Sequence, residues 1–200
     1  QPPRSHVLCG SLGIPIRVAT QLYIELESFS GSSQVSLFIW RPGHVTQDYV
    51  SWLSDPQVNQ YLKCRFVKHA ILSTKKFVQA MLDSPDYLFL GIRSHLLDRH
   101  VGNVKIGSID KNHGLGAIGI IIGNKEARGK GLGGLAINMM LEIARIKFFL
   151  RKITACCYVP NIHSQRVFEK NGFSVEAVWK QHYLLNGKPE DVVLMSKDLE

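Results

Sequence analysis

The chain has 200 residues, 45% of them hydrophobic, a size that supports one domain with a substantial core and leaves little room for a second. A formal charge of +8 and a pI near 9.4 call for an anionic partner. Yet the basic residues form no run of five and no aromatic-interleaved stripe, which argues against a nucleic-acid binder. No apolar run approaches the roughly 20 residues of a membrane span, and "RSHVLCGSLGIPI" lacks the cleavage site of a signal peptide, so a cytoplasmic protein with no membrane partner is expected.

Residues 1–34 differ in texture from the remainder and read as an N-terminal extension. Within them "QLYIELE" alternates Leu22, Ile24 and Leu26 with polar residues, a strand pattern, and "SFSGSSQ" reads as a flexible link. The domain proper is expected over 35–200. "VSLFIW" predicts a strand, Thr46 to Leu53 a short helix capped by Thr46, and "SDPQV" a further helical turn. "STKKFVQAMLDS" predicts a helix with a Ser/Thr start and an apolar face of Phe77, Val78, Met81 and Leu82. "YLFLGIRS", "HVGNVKIGSID" and "LGAIGIIIG" predict an antiparallel meander. A long helix follows, then the strand "KITACCYV", the helix "SQRVFEKNG", and two strands near "FSVEAVWK" and "EDVVLMSKDL". The four cysteines show neither a disulfide framework nor C-x-x-C spacing and are expected as reduced thiols in or near the core.

The most informative stretch is "NKEARGKGLGG", which joins the last meander strand to a helix whose Leu132, Leu135, Ala136, Met139 and Ile143 share one face. Its Gly129, Gly131 and Gly134 satisfy G-x-G-x-x-G. A strand, glycine loop and helix in that order aim backbone N–H groups and the positive end of the helix dipole at one point, so the consequence is phosphate binding, with charge added by Arg128 and Lys130. A dinucleotide fold would place an acidic residue at the end of the next strand, about 20 positions on. Here that strand ends in Tyr158 and Val159, and the preceding strands read as antiparallel.

"ARGKGLGG" resembles the acetyl-coenzyme A loop of the GNAT N-acetyltransferase superfamily, Arg/Gln-x-x-Gly-x-Gly/Ala, through Arg128, Gly131 and Gly133. "VPNIHSQRVFEKNGF" is similar to the family's second motif, and the likeness extends over roughly Val35 to Leu199. It is strongest to the branch with the Rim-type ribosomal-protein N-terminal acetyltransferases and the amino-sugar acetyltransferases. The resemblance implies an α/β fold with a mixed, mostly antiparallel sheet whose central strands splay apart between flanking helices. It implies acetyl-coenzyme A as cosubstrate and direct transfer of acetyl to a primary amine in a ternary complex. Backbone groups of Ile121, Ile122 and Gly123 would pair with the pantetheine arm. The loop Arg128, Gly129, Lys130, Gly131, Leu132, Gly133 and Gly134 would hold the pyrophosphate, with Asn161 and Phe168 as further cofactor contacts.

The departing thiolate benefits from an acid and the attacking amine must be neutral. Many relatives carry a Tyr where this chain has Phe168 and a Glu where it has Ala117, so the common acid and base are replaced. Ser164, matching a Ser of Rim-type relatives, is the expected acid. Asp110 and His113, flanking a turn before the cofactor strand, are the expected base through water, while Glu126 is expected to face solvent. Tyr61, Arg65 and His182 are expected in the acceptor groove, with Tyr183 and Phe66 near it and Trp40 in the core. The histidines show no metal-binding spacing, so no metal is expected. The acceptor is a small-molecule or protein N-terminal amine, with the basic composition favouring an anionic one, and the protein is a monomer or homodimer. A coenzyme A-binding module with little activity is the alternative function.

Overall fold

The computed structural model describes residues 33–200, and the expected strand around Leu22 to Leu26 lies outside them, as does Cys9. One sheet of seven strands organises the described residues, in the order β1-β2-β3-β4-β5-β7-β6. The strands are β1 (Val35–Ile39), β2 (Leu88–Ser94), β3 (Arg99–Asp110), β4 (Leu115–Ile122), β5 (Lys152–Tyr158), β6 (Ser174–Leu185) and β7 (Lys188–Asp198). The helices are α1 (Gln47–Ser54), α2 (Pro56–Asn59), α3 (Ile71–Asp83), α4 (Leu132–Phe148) and α5 (Ile162–Lys170). β2, β3 and β4 form the expected antiparallel meander, and β1 adds to it antiparallel to β2. The parallel contact is β4 with β5, and it is brief: Leu115 pairs with Lys152, Gly116 with Ile153 and Ala117 with Thr154. Beyond that point β4 stays with β3 as far as Ile122, whereas β5 stays with β7 as far as Tyr158. The sheet therefore forks.

Strand alternation divides the side chains between two cores. On one face α4 buries Leu132, Ala136, Ile137, Met140 and Ile143 against Val104, Ile106, Ile118 and Ile153. Phe168 of α5 joins that core. On the other face α1 and α3 pack Tyr49, Val50, Leu53 and Val78 around Trp40 and Phe89. Thr46 caps α1 as expected, its Oγ1 accepting from the Tyr49 amide at 3.3 Å. α3 begins two residues before the expected serine, at Ile71, with Ser73 reaching back to accept from the Ala70 amide at 3.1 Å. Its buried face is Thr74 and Val78, and Phe77 is exposed, because the sheet meets the helix one position round from the expected stripe.

The β6–β7 hairpin is longer than expected. Asn186 (φ +50°) and Gly187 (φ +77°) are both left-handed, the paired conformation of the tight hairpin turn that suits the strand twist. It carries His182, Tyr183 and Leu184 within β6. Cys157 is buried, Cys64 half-buried and Cys156 exposed, so the expectation of core packing fails for Cys156, and all three are free thiols.

Candidate active site

The fork leaves the β4 edge from Ile118 to Ile122 without a ladder partner on the β5 side, while its other edge is paired to β3. Ile120 and Ile122 point into the α4 core and Ile121 into the opposite one. Unpaired backbone N–H and C=O groups held between two packed faces are a template for an extended ligand. Gly123 closes the strand in contact with Trp52, so tightly that a Cβ there would lie 2.1 Å from the indole.

The glycine loop begins where that edge ends. Gly129 (φ +74°) and Gly131 (φ +76°) are left-handed, and a Cβ on either would meet nothing within 4 Å. Gly131 is the N-cap of the 17-residue α4 and supplies no side-chain cap. The first-turn amides of Leu132 and Gly133 thus receive no side-chain cap from Gly131, at the positive end of a long helix. Gly133 sits against Ile120 and Ile122, and Gly134 against Asn171, which seats the helix start directly on the β4 edge. Arg128, expected at the pyrophosphate, also contacts the strand end. Its Nε donates to the Ile122 carbonyl at 3.1 Å and its Nη2 to the Gly123 carbonyl at 3.0 Å. The guanidinium thereby braces the loop on the strand end. Lys130 is exposed, and so is Glu126.

Across the fork, β5 ends in Tyr158, which the sequence did not single out and which gathers the expected acceptor residues. Arg65 Nη2 donates to the Tyr158 hydroxyl at 2.8 Å and also to the Leu184 carbonyl. The Tyr61 and Tyr183 rings lie 5.6 and 5.7 Å from the Tyr158 ring, and His182 packs on Tyr183 at 4.6 Å. Lys63 lies over Tyr183 at 5.0 Å. Trp40 is buried and Phe66 exposed with Arg65 stacked on it at 4.3 Å. Beside this cluster a cavity of about 550 Å³ opens between α1, α3 and the sheet, with Lys105, Gly119 and Ile121 along its β3–β4 floor. That volume falls in the range of small-molecule sites.

A match to the acetyltransferase (GNAT) domain model spans residues 38–174, well over half of the chain. The chain belongs to the GNAT acetyltransferase family. It is accordingly an acyl-coenzyme A-dependent acetyltransferase, with acetyl-coenzyme A as cosubstrate. No curated protein matches its sequence. Solved structures similar to it include the Vibrio cholerae spermidine N-acetyltransferase in complex with CoA and spermine, at 20% identity and a TM-score of 0.75 over 84% of this chain and 97% of that one. The microcin C7 self-immunity acetyltransferase MccE, in complex with acetyl-CoA and AMP, is similar at 20% identity and a TM-score of 0.73, over 84% and 93% of the two chains. RimL, the ribosomal L7/L12 α-N-protein acetyltransferase, in complex with CoA, is similar at 19% identity and a TM-score of 0.75, over 84% and 96%. At these identities the likeness is one of fold, and the forked sheet is that fold.

The remaining expected GNAT site residues separate into two groups. Asn161 caps α5, its Oδ1 accepting from the Ser164 amide at 3.3 Å, and Ser164 follows in the first turn, beside the fork. The Cys157 Sγ lies 3.5 Å from Ser164 Oγ. Burial pushes the Cys157 thiol up, and the hydrogen bond with Ser164 acts the other way. Phe168, expected as a cofactor contact, is 3% exposed and packs edge-on to Phe173 at 5.0 Å in the α4 core. Asp110 and His113 sit at the opposite end of β4. Asp110 pairs with Leu115, and seven residues at about 3.3 Å each put it roughly 20 Å from Ile122. There Asp110 Oδ1 accepts from the His113 amide at 3.0 Å and the His113 carbonyl accepts from Arg151 at 2.9 Å, which closes the turn. Among the described residues no cluster of His, Cys, Asp and Glu is disposed to hold a metal, and no helix is long and apolar enough to cross a membrane.

Proposed function

We propose that this enzyme acetylates a primary amine by direct attack, with acetyl-coenzyme A laid along the free edge of β4 and its pyrophosphate on the α4 N-terminus. The observation that carries this reading is the continuity of two features: an unpaired strand edge at Ile118 to Ile122 and, nine residues after Ile122, a left-handed glycine opening a long helix. The amine nitrogen bonds to the acetyl carbonyl carbon, the carbon–sulfur bond breaks, the amine loses a proton, and the departing sulfur takes one. A β4 N–H would stabilise the carbonyl oxygen as negative charge grows on it. Ser164 supplies the proton for sulfur, relayed at the positive end of α5. The acceptor enters from the Tyr158 side, past Tyr61, Arg65 and His182. Structurally similar enzymes are described with spermine, with AMP, or as acting on a ribosomal protein. A cytoplasmic location fits the free thiols.

Calorimetric titration with acetyl-coenzyme A, with NAD in a parallel cell, tests the reading. Binding of acetyl-coenzyme A alone is expected, and binding of NAD alone would sink it. Ser164→Ala should lower kcat by about 10²-fold while leaving cofactor affinity unchanged; an unaltered kcat removes Ser164 from the chemistry. Asp110→Asn and His113→Gln should each retain wild-type kcat and pH–rate profile, since both lie at the far turn. A flattened basic or acidic limb in either variant would restore that pair as the base.

A further inference from the structure

We propose that the acceptor amine carries a carboxylate or phosphate, which binds at Lys105 and Lys63 while its apolar body lies against Tyr49, Phe77 and Phe89. The inference deepens the acetyl-transfer reading and rests on it. Lys105 projects from β3 opposite Gly119, on the acceptor side of the fork, and both line the cavity. Lys63, Lys68 and His69 line it as well, and none of its lining residues is Asp or Glu. Among the described residues no carboxylate pairs with Lys105, Lys63 or Lys68. Burial holds the Lys105 ammonium below the usual lysine range, the Cys64 thiol beside it acts the other way, and Lys63 is close enough to add to the depression. Lys105 Nζ lies 5.6 Å from the centre of the Tyr87 ring, and a half-buried cation that meets a ring face but no carboxylate remains short of counter-charge. An anion delivered by the ligand relieves it.

A second and independent observation points to the same ligand oxygen chemistry. Thr74, on α3, is 3% exposed, lines the cavity, and its Oγ1 has no hydrogen-bond partner. A buried hydroxyl without a partner is destabilising, and a carboxylate or phosphate oxygen would accept its hydrogen bond. A polyamine fits poorly, because its second and third ammonium groups would enter a wall of lysines with no carboxylate to meet them.

The test is a matched acceptor series under saturating acetyl-coenzyme A: tyramine, 4-(2-aminoethyl)benzoate, tyramine O-phosphate, phenylalanine and spermidine. At least one anionic amine should exceed tyramine in kcat/KM by about tenfold or more, and Lys105→Met should erase that advantage while acetyl-coenzyme A affinity stays at its wild-type value. The benzoate and phosphate arms tell the two anion sources apart. Preference for spermidine or tyramine, or an anionic preference that survives Lys105→Met, overturns the proposal. Thermal shift by tyramine O-phosphate in the absence of acetyl-coenzyme A, wild type against Lys105→Met, judges the anion site separately. Failure to bind acetyl-coenzyme A with a Lys105-dependent shift intact rejects the transfer reading alone, whereas acetyl-coenzyme A binding with no shift in the wild type, or with an equal shift in Lys105→Met, rejects the anion site alone.

Discussion

Gly131→Asp abolishes acetyl-coenzyme A binding and leaves the fold standing, with affinity falling at least about 100-fold, equivalent to roughly 3 kcal/mol. Gly131 holds φ +76° at the entry of α4, and nothing lies within 4 Å of the place a Cβ would take. The substitution therefore meets no protein atom, and its cost to the free enzyme is the left-handed backbone, about 1–2 kcal/mol and less for Asp than for most residues. Its cost to the complex is larger. A carboxylate would stand in front of the Leu132 and Gly133 amides, where the pyrophosphate is proposed to lie, and it would answer the helix dipole itself. Gly131→Asn separates charge from shape: it has the same size and the same backbone preference, so it should lose only about tenfold. Circular dichroism and a melting curve establish that each variant is folded, and calorimetry reads the affinity. Near-wild-type binding by folded Gly131→Asp would remove the α4 N-terminus from the cofactor site.

Much of the fold follows from local signals, because the strongest periodicities belong to the elements that make the fork. The 3.6-residue stripe of Leu132, Ala136, Met139 and Ile143 marks α4, and the β-rich runs from Leu88 to Ile122 mark the meander. Gly129 and Gly131 could be read as a loop opening a helix because only a few residues adopt positive φ readily. What stayed hidden depends on partners distant in the chain. The Arg128 side chain could reach a phosphate or two carbonyls five and six residues back, and composition does not choose between them. Asp110 and His113 precede the cofactor strand in sequence, but an antiparallel turn sets them at the end remote from the fork. Phe168 occupies a motif position that other members fill with Tyr, and as Phe it satisfies the core instead. Tyr158 reads in sequence as the tail of a strand; its contacts to Arg65 and to the Leu184 carbonyl join residues 93 and 26 positions apart. The one signal that could have revealed the acceptor wall is Asn186-Gly187, a hairpin dipeptide that fixes β6 long enough to bring Tyr183 and Leu184 there.

Acidification should weaken the fold in two separate windows, and the upper one belongs to His100. This side chain is stacked on Trp40 at 4.0 Å between ring centroids, with Trp52 at 5.2 Å and Tyr49 at 5.8 Å. Its Nε2 lies 3.1 Å from Asn103 Oδ1. Burial among these rings pushes the imidazole down to about 4, against hydrogen bonds to Asn103 and Gly102 that act the other way, and His44 nearby lowers it further. In the unfolded chain the same group takes its proton near 6.5. Between those values the unfolded state binds more protons than the folded one, so stability falls as the pH drops from about 6.5 to about 4 and the loss is complete below that. The difference corresponds to on the order of 3 kcal/mol, a large share of a typical domain's stability. Glu176 and Asp191 act in the lower window. The Lys152 hydrogen bond holds the first below the usual carboxylate range and the Lys180 hydrogen bond the second, so their contributions persist above that range and are lost as the pH falls through it. Urea unfolding at half-unit intervals from pH 7 to 4 should show the upper slope in the wild type and not in His100→Gln, which keeps an amide donor for Asn103 and cannot titrate. Because Trp52 also packs against Gly123 at the end of the cofactor strand, acetyl-coenzyme A affinity should decline over the same interval in the wild type and hold in the variant. Equal slopes in the two proteins would mean that His100 titrates as an exposed imidazole, and the aromatic platform would then carry no pH dependence.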